Sequence, residues 1–120
     1  MKIINRYPLE IKKHAERVAN YASIYGKDYA LVGLLHDIIK DTNTTLDELP
    51  IDIRKDINTL TRRKNETYFD YIHRVKNGSD RAITIKCIDI YDHLKQKETL
   101  KPSLKKRYKK AIKILKGIDK

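Results

Sequence analysis

The segment LLHDIIKDTNTTLDEL, residues 34–49, places charged side chains directly against an apolar stretch. Two leucines precede the pair His36-Asp37, and Asp41 follows one helical turn later. Apolar residues on most sides predict a helix over 28–41 that lies at the centre of the fold. Because buried charges are costly unless they are paired or bind a metal ion, the fold must provide a partner for His36 and the two carboxylates.

The rest of the chain is also patterned for helices. Apolar residues recur with the helical period of 3.6, in segments bounded by turn and cap residues. Further helices are predicted to run from Pro8 to Gly26, over 52–61, 67–77 and 79–96, and from 102 onward, with a short one from Thr44 or Thr45 to Leu49. The sequence therefore predicts an all-α bundle of about six to seven helices, and its 120 residues suit a single domain, 1–120.

The charge of the chain favours an anionic ligand. The formal net charge is +11 and the isoelectric point about 9.7, which attracts nucleotides, nucleic acid or membrane phosphates alike. The densest basic run, 105–110, fits a core-packed terminal helix as well as a DNA contact, and it lacks a recognised DNA-binding motif. Nucleic acid is therefore the less favoured partner, and a small nucleotide the favoured one.

The expected compartment is the cytoplasm. The N-terminal sequence lacks an apolar run, so no signal peptide is predicted. No apolar stretch is long enough to cross a bilayer, so we expect no membrane partner. The single cysteine, Cys87, cannot form an intramolecular disulfide and is interpreted as a small core residue.

Four residues interrupt the apolar faces of different predicted helices: His14, His36, Asp37 and Asp89. A lone histidine on an apolar face is more often a satisfied core residue, so the argument depends on the combination. Imidazole nitrogens suit transition metals and carboxylate oxygens suit manganese, magnesium or iron. We predict that these four residues bind a divalent metal, with Mn²⁺ favoured over Fe or Co.

Such a metal would lower the pKa of bound water to about 7, and the resulting hydroxide can attack phosphorus. Asp41 follows Asp37 by four residues and shares its face if the helix continues. It is the candidate that accepts or orients the proton of that water.

The order H…HD…D resembles the HD-domain metal phosphohydrolases. The segment LLHDIIKDTNTTLDEL is similar to the segment of RelA/SpoT-type alarmone hydrolases that reads LLHDxxEDTxxTxxEL, and IKCIDIYDHL is similar to their VKLADRLHNL. LTRRKNETYFDYIHRV and PSLKKRYKKAIKIL resemble segments of the compact, stand-alone HD proteins near that family. The resemblance covers nearly the whole chain.

The resemblance implies a compact HD-domain helical bundle with the same four metal ligands. It also implies Mn²⁺-dependent hydrolysis of a nucleotide pyrophosphate, as in removal of the 3′-pyrophosphate from ppGpp or pppGpp. Two positions depart from the family. Lys40-Asp41 replaces a catalytic Glu-Asp pair, and His93 replaces an asparagine that contacts the nucleoside. Lys40 cannot serve as a base at neutral pH unless burial lowers its pKa, but it can bind phosphate as a point charge.

Other basic residues are candidates for binding the substrate. Arg62, Arg63 and Lys64 lie in a predicted loop, where arginine forks suit phosphate oxygens and a solvated turn is the alternative. Lys86 lies one turn before Asp89 and can reach a phosphate or remain a surface lysine. Tyr91 is a candidate for stacking on a base.

These observations leave more than one function open. The favoured one is a (p)ppGpp 3′-pyrophosphohydrolase-like enzyme. The alternatives are an HD-fold nucleotide-binding module with weak or lost catalysis, which Lys40 favours, and an HD nucleotidase with another nucleotide substrate.

Overall fold

The computed structural model describes residues 2–96 and 100–118. Seven α-helices lie in these residues: α1 (Leu9–Ala22), α2 (Lys27–Leu35), α3 (Ile38–Asp41), α4 (Arg54–Leu60), α5 (Tyr68–Lys76), α6 (Asp80–Gln96) and α7 (Pro102–Leu115). Short 3-10 helices occur at Lys2–Arg6, Ser23–Tyr25, Leu46–Glu48 and Ile51–Ile53. No strand occurs among the described residues, so the prediction of an all-α bundle with six to seven helices is confirmed.

Cap and turn residues explain three of the helix boundaries. The Thr67 side chain accepts a hydrogen bond from the Asp70 amide at 3.1 Å and starts α5. Ser79 does the same for α6, accepting from the Ala82 amide at 3.0 Å. Gly26 ends the first helical segment with φ +124°, a conformation that other residues rarely adopt. These boundaries follow from cap and turn residues that the sequence already displays.

The predicted helix over 28–41 is wrong in one respect, because it is interrupted at His36-Asp37. The His36 Nδ1 donates to the Gly33 carbonyl oxygen at 2.6 Å, the oxygen that would accept the Asp37 amide in a continuous helix. Asp37 takes φ −107° and ψ 5°, outside the α region. A side-chain hydrogen bond thus competes with the helical ladder and separates α2 from α3.

Two predicted helices on either side of Pro50 also differ from the structure. The short helix predicted to reach Leu49 is a 3-10 turn that ends at Glu48, with Thr45 and Glu48 forming a capping box. The predicted helix over 52–61 is divided into a 3-10 turn and α4.

Helix α6 is the central element, because it packs against α1, α2, α4, α5 and α7. Helices α1 and α2 also pack closely on one another. A Cβ added at Gly33 would lie 3.2 Å from Val18 Cγ1 and 3.3 Å from the Ala19 backbone, so only glycine permits this approach without a shift. In the described part of the chain, no helix combines the length and apolarity needed to cross a bilayer.

Candidate functional site

The four predicted metal ligands lie together. His14 comes from α1, His36 and Asp37 from the break between α2 and α3, and Asp89 from α6. One ligand atom from each lies within 4.8 Å of the corresponding atoms of the others. We call these four residues the metal cluster. Metal binding by the cluster stays a prediction, but the convergence of three separate elements is a feature of the fold.

Short distances join the atoms of the metal cluster. The His14 Nε2 lies 2.7 Å from Asp89 Oδ1, and the His36 Nε2 lies 3.2 Å from the same oxygen. Asp37 Oδ2 lies 3.0 Å from the His36 Nε2. Two imidazole nitrogens and two carboxylate oxygens therefore converge, a donor set that suits first-row divalent metals.

His36 is held in the tautomer that a metal ligand requires. Its Nδ1 lies 2.6 Å from the Gly33 carbonyl oxygen, which can only accept a hydrogen bond. The Nδ1 atom therefore carries the hydrogen, and the neutral ring has its lone pair on Nε2, the atom that points into the cluster. An outer hydrogen bond of this kind is typical of metal-binding histidines.

His14 is oriented by a carboxylate that the sequence analysis did not assign. The His14 Nδ1 lies 2.6 Å from Asp92 Oδ2, and the Arg17 Nε donates to Asp92 Oδ1 at 3.0 Å. Asp92 is only 2% exposed. The signal for it was its position three residues after Asp89, where a second carboxylate falls on the buried face of α6.

The second oxygen of Asp89 is also paired. The Lys86 ammonium donates to Asp89 Oδ2 at 2.8 Å and lies 5.0 Å from the centre of the Tyr71 ring. The Lys86 side chain is largely buried, unlike a surface lysine. It neutralises Asp89 from outside the cluster, and its predicted contact with substrate stays a prediction.

The charges of the cluster suit a cation. Burial lowers the pKa of His36, but the Asp37 and Asp89 carboxylates outweigh it and raise that pKa well above its ordinary value. Burial raises the pKa of Asp89, but Lys86 and the histidines hold it well below the ordinary range. The carboxylates thus keep their charge, and protons on the imidazoles compensate for it. A divalent ion can replace those protons, so the residues present fit the predicted metal.

Two clefts adjoin the metal cluster, and Asp37, Lys40 and His93 line both. The first has a volume of about 210 Å³. We call it the cationic cleft; its lining includes Lys40, Arg62, Lys86, Arg107, Tyr68 and Tyr108. The second has a volume of about 430 Å³. We call it the acidic cleft; its lining includes Glu10, Asp41 and Asp92.

The structure brings Asp41 and Lys40 to the site as predicted. Asp41 lies half-buried in the acidic cleft, where burial and the nearby Asp37 charge raise its pKa. Lys40 is exposed at the boundary of the two clefts. Neither residue is one of the four ligands, so both are available to water or substrate.

The predicted basic loop contributes only one residue to the site. Arg62 lines the cationic cleft. Arg63 instead donates to the carbonyl oxygens of Asn58 and Thr61 and stabilises its own loop. Lys64 is exposed and lies outside the lining of both clefts. Arg63 and Lys64 thus lie outside the lining of both clefts, and their contact with substrate stays a prediction.

His93 is part of the site through its ring. It stacks on His14 with ring centres 4.4 Å apart and on Tyr108 at 5.7 Å. Its Nε2 lies 3.4 Å from Asp89 Oδ1. The tyrosines that line the cationic cleft form what we call its aromatic wall: Tyr68, Tyr71 and Tyr108. His93 therefore connects the metal cluster with this wall.

The sequence analysis missed the residues that complete this aromatic wall. Helix α7 places the Arg107 guanidinium 3.8 Å from the centre of the Tyr68 ring, on α5. From the sequence, the basic run 105–110 that contains Arg107 fits a core-packed terminal helix as well as a DNA contact. Tyr91, the predicted stacking residue, lines another cleft with Tyr21 and Ile24, and its contact with a base stays a prediction.

A scan against models of known protein families returned no match, and a search of curated proteins found no similar sequence.

Proposed function

We propose that this protein is a metal-dependent phosphohydrolase that acts on a nucleotide pyrophosphate, with (p)ppGpp as the favoured substrate. The observation that carries the proposal is the metal cluster, in which the ligand atoms of His14, His36, Asp37 and Asp89 lie within 4.8 Å of one another. The resemblance to alarmone hydrolases supports the choice of substrate.

The metal cluster would hold the ion, with Mn²⁺ favoured by the mixed nitrogen and oxygen ligands. The ion would supply Lewis acidity toward a phosphoryl oxygen and lower the pKa of water. Asp92 and the Gly33 carbonyl fix the two imidazoles in the required tautomer. Lys86 keeps Asp89 charged at the same time.

Asp41 is the residue proposed to take a proton from water. It lies in the acidic cleft beside Asp37 and Lys40. Burial and the Asp37 charge raise the pKa of Asp41, which makes its carboxylate a stronger base. The exposed Lys40 ammonium lies next to both clefts, where the hydrolases that the chain resembles have a glutamate.

The cationic cleft is proposed to hold the anionic groups of the substrate. It combines Arg62 and Arg107 with tyrosine rings. Cations suit phosphate oxygens and rings suit a nucleobase. The net charge of +11 favours the approach of a polyanion to this surface.

A hydrolysis panel tests the proposal. Purified protein with Mn²⁺ is incubated with ppGpp, pppGpp, their adenosine counterparts, NADPH and common nucleoside mono- and triphosphates. We expect metal-dependent release of pyrophosphate from ppGpp or pppGpp, and no release by Asp37→Ala. Release of phosphate from another nucleotide would keep the chemistry and identify a different HD nucleotidase. Absence of both turnover and bound metal would refute the proposal.

A nucleotide-binding module is the second candidate. It is favoured by Lys40, a cation at the position where the hydrolases that the chain resembles have glutamate. Tight binding of metal and nucleotide without turnover in the same panel would support it.

A further inference from the structure

The hydroxyl of Tyr68 is buried and has no hydrogen-bond partner. Among the side-chain nitrogen and oxygen atoms of residues 2–96 and 100–118, it is the one buried atom left in this state. Buried polar atoms are nearly always hydrogen-bonded, so an exception points to a missing partner. Tyr68 lines the cationic cleft together with Asp89, which places its side chain beside the metal cluster.

Two arginines face the ring that carries this hydroxyl. The Arg107 guanidinium lies 3.8 Å from the ring centre, and that of Arg62 lies 5.8 Å away. The Arg62 Nε donates to the Glu66 carbonyl oxygen at 3.1 Å, which leaves its terminal nitrogens available. Within the described ranges, neither arginine forms a salt bridge with a carboxylate. Together, Tyr68, Arg62 and Arg107 therefore carry more hydrogen-bond donors than acceptors.

We propose that Tyr68, Arg62 and Arg107 form a phosphate-binding wall, in which the Tyr68 hydroxyl donates a hydrogen bond to a phosphate oxygen of the substrate. This inference rests on the proposed function and assigns a residue and a contact to it. Phosphate matches the wall because it offers several acceptor oxygens to two guanidinium forks and one hydroxyl. The wall lies beside the metal cluster, so the bound phosphate belongs to the same substrate.

Arg107 is a long side chain stacked over the ring, held there by a cation–π contact. Because Arg107 lies on the ring of Tyr68, its guanidinium and the hydroxyl can donate to the same anion. Burial raises the pKa of Tyr68 to about 12, so the hydroxyl keeps its proton and acts as a donor.

Tyr68→Phe is the decisive variant, because it removes the hydroxyl and keeps the ring. The dissociation constant of inorganic pyrophosphate is measured by calorimetry on metal-free protein at fixed ionic strength, for wild type and variant. We expect binding to weaken about tenfold, as for loss of a hydrogen bond to a charged group. We also expect the melting temperature to stay the same or rise, because the hydroxyl loses no protein partner.

Tyr29→Phe is the matched control, since Tyr29 is half-buried on α2 and lines neither cleft of the site. Its dissociation constant for pyrophosphate and its melting temperature should both equal those of wild type. Equal affinity of wild type and Tyr68→Phe would overturn the inference. So would a fall in the melting temperature of Tyr68→Phe, because it would reveal a partner for the hydroxyl within the protein.

A second pair of variants tests the same wall without touching the hydroxyl. Arg107→Gln should weaken pyrophosphate binding, and Lys109→Gln, exposed on the same helix, should have a smaller effect. Equal losses of affinity in the two variants would show that pyrophosphate responds only to the overall positive charge, and would overturn the inference. These measurements need neither metal nor turnover, so their outcome does not depend on the hydrolysis panel. The phosphate-binding wall can be confirmed in a protein that hydrolyses no nucleotide, and it can be refuted in a protein that does.

Discussion

The metal cluster and the cationic cleft share Asp37 and Asp89, yet they differ in how far their polar groups are hydrogen-bonded. In the cluster, both imidazoles have outer hydrogen bonds, and Asp89 is paired through both oxygens. In the cleft, the Tyr68 hydroxyl has no partner within the described part of the chain. Arg107 lies on a ring there rather than on a carboxylate.

The difference separates two tasks. A metal ion requires ligands that are already fixed at the right distance, and outer hydrogen bonds fix them. A polyanionic substrate requires donors that are not yet satisfied, because its own oxygens must supply the acceptors. We call the metal cluster with its outer hydrogen bonds the fixed side, and the cationic cleft the open side. Variants of either side test whether the two tasks are separate.

The largest effect is expected from Asp37→Ala, which removes a ligand from the fixed side. Bound metal should fall from about one equivalent to near zero, because three remaining ligands bind a divalent ion far more weakly. Metal content is measured by mass spectrometry after gel filtration. Asp70→Ala, at an exposed aspartate, is the control and should keep its metal. Stoichiometric metal in Asp37→Ala would mean that the ligand assignment is wrong.

A smaller effect is expected from Asp92→Asn, which leaves all four ligands in place. The change weakens the hold on His14 Nδ1, so the ring can adopt the other tautomer. Metal affinity should fall about 10- to 100-fold, as for other outer-shell partners of histidine ligands. Competition with a chelator gives the dissociation constant. Asp80→Asn, exposed in the first turn of α6, should leave it unchanged, and an unchanged value in Asp92→Asn would remove Asp92 from the site.

The open side is tested by Lys40→Glu, which replaces a cation by an acidic partner for Asp41. Turnover should rise about tenfold, less than the usual general-base contribution because Asp41 is already present. The rate is measured on the substrate that the panel identifies. Lys55→Glu makes the same charge change at an exposed position on α4 and should not raise the rate. A fall in rate in Lys40→Glu would instead assign Lys40 to substrate binding.

The smallest effect concerns an arginine near the cleft that does have a carboxylate partner. Arg74 holds Glu66 through two contacts, at 2.6 and 3.1 Å, and lowers the pKa of Glu66 from 4.5 to about 2. Because the folded state lowers this pKa, the stabilisation is present above pH 4.5 and is lost as the pH falls toward 2. Glu66→Gln should therefore cost less than about 1 kcal/mol at neutral pH.

Melting temperatures between neutral pH and pH 2 check this prediction. The difference between wild type and Glu66→Gln should shrink as the pH falls. Parallel melting curves at every pH would show that the pair contributes nothing through charge.

The metal cluster could be predicted from sequence because each member breaks an apolar face, a pattern visible one helix at a time. Asp92 carried the same signal but lacked an obvious partner before His14 was placed beside it. The contact between Arg107 and Tyr68 could not be predicted, because it depends on how α7 packs on α5. The break at His36 depends on its side chain competing for the Gly33 carbonyl. The periodicity of apolar residues contains no information about such a hydrogen bond.

Gly33 connects helix packing with the spacing of the two histidines of the metal cluster. Its missing Cβ lets α2 approach α1 at Val18 and Ala19, and these two helices position His36 and His14. A methyl group at 33 would force the neighbours apart by a few tenths of an ångström. Metal–ligand distances differ by about that much between Mg²⁺ and Ca²⁺. A residue without a ligand atom would thus help to set the spacing of the two imidazoles around the proposed metal.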